Sequence, residues 1–141
     1  MWSVILVKTN PFVSSQARKV RKAFFNATKD EKHVQLSAKL SKELQEQYGI
    51  KRLPVRIGDE VKLSSGSQTK REGKVTQVKL TQMRIFVDSY TKEKLNGQSV
   101  QVPLHPSNVV LTKLKMDSAR KKLIEQRRVA RVKILANLGH K

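Results

Sequence analysis

Asp59-Glu60-Val61-Lys62-Leu63, a turn at Ser64-Ser65-Gly66-Ser67, and then Lys70-Arg71-Glu72-Gly73-Lys74-Val75-Thr76-Gln77-Val78-Lys79-Leu80 form the stretch whose reading decides the fold. Glu60 to Leu63 alternates polar and apolar residues, as a strand with one buried face does. Asp59 with Glu60 reads as the turn that enters this strand, not as an acid–base pair. The second run continues through Thr76, Val78 and Leu80, but Val75 falls on the opposite phase. A phase slip beside Gly73 predicts a bulge or sharp bend.

Further strands follow downstream. Ile85-Phe86-Val87 marks a third, and Asn96-Gly97 predicts a two-residue hairpin leading into Val100 and Val102, with that strand ending at Pro103. Val109-Val110-Leu111-Thr112 is the fifth. Five short strands with little helix between them favour a small barrel over an open sheet, because a barrel leaves fewer unpaired edges. The expected fold is therefore mainly β, a small SH3-like barrel over residues 58–114. It carries a basic N-terminal extension (1–34), a helix and linker (35–57) and a basic C-terminal helix (115–141).

Upstream, a helix is expected over Ala38–Tyr48, with Ser37 or Ser41 as its cap and Gly49 closing it. A shorter one is expected over Ser15–Phe24. Its Arg18, Lys19, Arg21 and Lys22 cover most of the circumference, so it needs surrounding anions. The C-terminal helix starts at Asp117 or Ser118. At 100° per residue, Met116, Ala119, Leu123, Ala130 and Ile134 form one stripe, flanked by Arg120, Lys121, Arg127, Arg128 and Arg131. One face is expected to pack while its neighbour lies along a phosphate backbone.

The chain has 141 residues with 30 Lys plus Arg against 11 Asp plus Glu, a formal net charge of +19. Self-repulsion of that size makes sense when a polyanion neutralises it. Residues 1–34 carry seven cations and two acids, 35–57 five and two, 58–112 eight and five, and 113–141 ten and two. The ends are thus more basic than the middle, and the arms and last helix are expected to supply most of the binding, Lys113 and Lys115 included. The absence of Cys removes disulfides and thiolate chemistry and fits a reducing compartment. The apolar start Trp2 to Val7 is too short to span a bilayer and lacks a basic lead. It reads as a strand or plug against a partner. His33, His105 and His140 are far apart, so no metal site, cofactor or catalytic triad is expected. Phe12, Phe24 and Phe25 sit in basic arms, where stacking on bases competes with packing on the barrel.

The turn, the pair Lys70-Arg71 and Gly73-Lys74-Val75 resemble the KOW motif of ribosomal proteins and of transcription elongation factors. Asn10-Pro11-Phe12-Val13, Phe25-Asn26-Ala27, Leu40 to Leu44, Leu53-Pro54-Val55-Arg56, Asp59-Glu60-Val61 and His105-Pro106-Ser107-Asn108-Val109-Val110 flank it in a characteristic order. Together they resemble one family of large-subunit ribosomal proteins, numbered twenty-six in eukaryotes and twenty-four in bacteria. The likeness covers about residues 7–130, with a divergent eukaryotic-type pattern. Ser65 stands where the family usually has Arg, and the turn near Leu80-Thr81-Gln82 is uncharged. The resemblance implies a structural, non-enzymatic protein bound to large-subunit ribosomal RNA and neighbouring ribosomal proteins near the polypeptide exit tunnel. It would join early, in the nucleus or nucleolus, and reside in cytoplasmic ribosomes, with no membrane and no homo-oligomer. Lys8, Asn10, Phe12, Lys70, Arg71, Gly73, Lys74, His105 and Ser107 would be RNA contacts. The rival expectation is a KOW-type accessory factor of transcription or ribosome assembly.

Overall fold

A computed structural model describes residues 12–65 and 71–139 of the chain. The apolar start Met1 to Val7, Lys8, Asn10, His140 and the loop from Gly66 to Lys70 lie outside the described residues.

Two short helices come first, α1 (Ala17–Phe25) and α2 (Lys29–Gln35). The second, not anticipated from the sequence, is set by a reciprocal cap. The Thr28 side chain accepts from the Glu31 backbone N–H, and the Glu31 carboxylate accepts from the Thr28 N–H. Neither helix has a buried residue within its span, but Ala27 and Leu36 at their ends are buried, and the Leu36 carbonyl accepts from the Val55 N–H at 3.0 Å.

The helix expected over Ala38–Tyr48 starts four residues late. Strand β1 (Ser37–Leu40) comes first, then α3 (Lys42–Tyr48). Ala38 and Leu40 are both buried with Lys39 exposed between them, a period of two that suits a strand. Ser41 is the cap, its Oγ accepting from the Leu44 N–H, and Gly49 closes the helix at φ 68°. Strand β2 (Arg52–Pro54) then pairs antiparallel with β1, setting Leu53 opposite Ala38. The stretch read as helix and linker therefore supplies two strands. Each is too short for periodicity to reveal.

The remaining strands are β3 (Glu60–Leu63), β4 (Glu72–Lys79), β5 (Arg84–Val87), β6 (Thr91–Glu93), β7 (Ser99–Gln101) and β8 (Val109–Lys113). The main sheet runs β2-β1-β8-β3-β4-β5, with β1 and β8 parallel and the other neighbours antiparallel. The bulge expected in the second strand lies between Val75 and Gln77 of β4, where the register to β5 shifts. Beyond β5 the curl continues, since Ile85 and Leu104 exchange two 2.9 Å backbone hydrogen bonds. The result is a small barrel-like domain whose apolar interior includes Leu40, Leu53, Val61, Val75, Ile85 and Leu111.

The β6–β7 hairpin departs from its expected turn. Lys94 N–H donates to Gln98 O and Gly97 N–H to Lys94 O, so Leu95-Asn96-Gly97 is a three-residue loop. Only Gly97 in it has positive φ, at 78°, whereas the two-residue form needs two such residues.

Gly73 shows why the motif needs a glycine. A Cβ there would lie 2.6 Å from both Asp88 Oδ1 and Val87 Cγ1, and closer still to Ser89 Oγ. The turn after β5 folds directly over β4. It is held by Lys74 N–H donating to Asp88 Oδ1 at 2.8 Å, Ser89 Oγ–H to Glu72 O at 2.9 Å and Tyr90 O–H to Arg71 O at 3.1 Å.

Candidate nucleic-acid interface

The last helix, α4 (Ser118–Gly139), is tied to the barrel by an ion pair in the interior. Asp59 and Arg120 are 0% and 1% exposed, and the guanidinium holds both carboxylate oxygens, at 2.5 and 2.8 Å. Its remaining donors reach Lys115 O and Pro54 O. Asp59 also accepts from the backbone N–H groups of Arg56 and Lys115, so each of its carboxylate oxygens accepts two hydrogen bonds. Asp59 is thus more than a strand-entry turn. Arg120, expected on the RNA-facing arc, is inside the fold, and this corrects the reading of the helix.

The packing face of α4 follows from Arg120. Ile124 is buried and Leu123 packs beside it, while Arg127 donates to Arg52 O at 3.1 Å and Arg131 to Gly49 O at 2.7 Å. At 100° per residue these positions share one side. Of the apolar stripe expected to pack, only Leu123 does. Met116, Ala119, Ala130 and Ile134 are exposed. Side-chain type alone misassigned the two faces because arginines, once paired or bound to carbonyls, can occupy the contact side. Lys121 and Arg128 do face outward, as do Lys122 and Lys133, which the sequence reading left out. Asp117 is the cap, with Oδ1 accepting from the Ala119 and Arg120 N–H groups. Those two bonds, with the Arg56 guanidinium, hold its carboxyl below the usual carboxylate range.

Other expected contacts are dispersed over the surface. Arg18, Lys19, Arg21 and Lys22 are all exposed on α1, and Phe12 is exposed ahead of it. Arg71 and Lys74 are exposed at the start of β4, where Gly73, half-buried, allows the close approach of the turn after β5. Lys113 is paired with Glu60 at 3.0 Å, and the Lys115 stem covers Gly58. His105 and Ser107 shape the turn into β8. His105 Nδ1 accepts from the Ser107 N–H at 3.2 Å and sits 2.7 Å from Ser107 Oγ. Burial, then the nearby Arg84 charge, lowers the His105 pKa. The neutral ring therefore carries its proton on Nε2.

Four ion pairs among the described residues, Arg56–Asp117, Lys62–Glu72, Lys113–Glu60 and Arg120–Asp59, occupy acids inside the domain. Most of the cations on α1 and the outer side of α4 have no such partner. A barrel-like β module with cationic helical extensions, four of its eleven acids turned to internal ion pairs, is the class of protein built to lie against a polyanion.

The sequence profile of the family described as eukaryotic ribosomal protein L26 and its archaeal counterpart matches residues 14–127, and the chain belongs to that family. It is 50% identical over 122 residues to large ribosomal subunit protein uL24B of Saccharomyces cerevisiae, covering 86% of this chain and 96% of that protein. It is 48% identical, with the same coverage, to large ribosomal subunit protein uL24 of Candida albicans. To the uL24 of Caenorhabditis elegans it is 40% identical over 135 residues, 96% of this chain and 95% of that one.

Proposed function

We propose that the chain is a structural constituent of the large ribosomal subunit that binds ribosomal RNA beside neighbouring ribosomal proteins. The observation that carries this is the family match across residues 14–127, which takes in α1, the barrel and the first part of α4 as far as Arg127. It resides in cytoplasmic ribosomes and joins during subunit assembly near the polypeptide exit tunnel, stabilising the folded RNA rather than catalysing a reaction. Four surfaces serve the RNA: the α1 cations with Phe12, the Arg71 and Lys74 edge, the His105–Ser107 turn, and the outward cations of α4. Each phosphate contact releases condensed counterions, so affinity falls with salt by a slope of roughly 0.7–0.9 per contact. Sucrose-gradient sedimentation of a tagged chain in cell extract tests the reading. Co-migration with mature large subunits after a high-salt wash is expected. Loss from them under that wash would instead place the chain among transient accessory factors.

A further inference from the structure

A cleft of about 280 Å³ lies between the N-terminal helices and the β4–β5 turn. Phe24 and Phe25 from the end of α1, Lys32 from α2, Gln82 and Arg84 around the turn, and His105 before β8 line it. Segments distant in sequence converge there, and no acid is among the lining residues.

The two rings stand edge to face, 5.3 Å apart and at 87°. Phe25 is 70% exposed and Phe24 42%, on a helix with no buried residue, so an aromatic pair is offered to solvent in place of a core. Such a pair gives a π-face to a base that is out of its helical stack. Lys32 and Arg84 supply cations within reach of the same space, and the Gln82 amide and the His105 Nε2–H supply edge-reading hydrogen bonds. Met83 adds an independent observation. It has a φ of 53°, the one positive value at a non-glycine among the described residues, yet its side chain is only 8% exposed and lines the cleft. Glycine would adopt that backbone at less cost. A side chain is kept there, at a strained position, where it closes the cleft wall.

We propose that this cleft binds a single unpaired nucleotide of RNA, its base stacked on Phe25 and its phosphate held between Lys32 and Arg84. The proposal rests on the RNA-binding reading above and narrows it, since paired bases in a duplex cannot enter a concave aromatic site. The test uses the purified full chain, with labelled hexauridylate, hexaadenylate and a blunt twelve-pair RNA duplex, read by fluorescence anisotropy. Phe25→Ala should weaken binding of the single strands roughly 5- to 150-fold, the range expected for one lost base stack. Duplex binding and the melting temperature should not change, and Phe25→Tyr should retain the single-strand affinity. Arg84→Gln should reduce the salt slope for the single strands by about one. Unchanged single-strand affinity in Phe25→Ala, or an equal loss on duplex and single strand, overturns the cleft as a base site while leaving RNA binding intact. Failure of the unaltered chain to bind either RNA at low salt refutes the broader reading and this one with it.

Discussion

Replacing Asp59 by Ala leaves the Arg120 guanidinium buried, with its two closest acceptors gone and water excluded. Loss of one partner from such a pair costs about 3–5 kcal/mol. Asp59→Ala and Arg120→Ala should therefore each lower stability by about that amount in urea unfolding, and their combination should cost less than the sum. At Gly73 the penalty is steric. Gly73→Ala presses a methyl into Asp88 and Val87 and should cost about 1–3 kcal/mol, read as a lower unfolding midpoint at unchanged slope. His33 and His105 both have pKa values lowered in the fold, first by burial and then by Arg56 and Arg84 respectively. The unfolded chain then takes up protons first, so their stabilising effect is complete above the unfolded value of 6.5 and is lost as pH falls through the folded values. A melting temperature that drops between about pH 7 and pH 5, with a shallower drop in a His33→Gln, His105→Asn variant, is the expected result. Equal slopes would show that other groups carry the pH dependence.

At the scale of elements, α4 divides its cations by side. Arg120, Arg127 and Arg131 bind the barrel, whereas Lys121, Lys122, Arg128 and Lys133 face outward. Changing the four outward cations to Gln should leave the melting temperature nearly unchanged and reduce the salt slope of binding to a large-subunit RNA fragment by about 3. An unchanged slope would remove the outer side of α4 from the interface. The α4 start, the α3 cap at Ser41, its close at Gly49 and the strands around Gly73 were all legible in local signals. The β1–β2 pair was not, because strands of four and three residues have no measurable period and are stabilised by partners distant in sequence. Helix α2 also escaped, although its Thr28–Glu31 capping box was present in the sequence and would have revealed it.

Across the whole molecule, net charge sets the character of binding. An excess of +19 predicts steep salt dependence for any RNA target, and the distribution of cations over both helical ends and the β4 edge predicts that no single substitution abolishes it. The amino-acid sequence by itself determined the polyanion partner, the strand-turn-strand unit around Gly73 and the family, because charge, alternation and ordered motifs are local or additive properties. Only the tertiary structure decided which arginines face the barrel and which face outward, and that Phe24, Phe25, Arg84 and His105 share a cleft. Those outcomes depend on pairing between residues far apart in the chain: Asp59 draws Arg120 inward across 61 positions, and this sets the rotation of the whole helix.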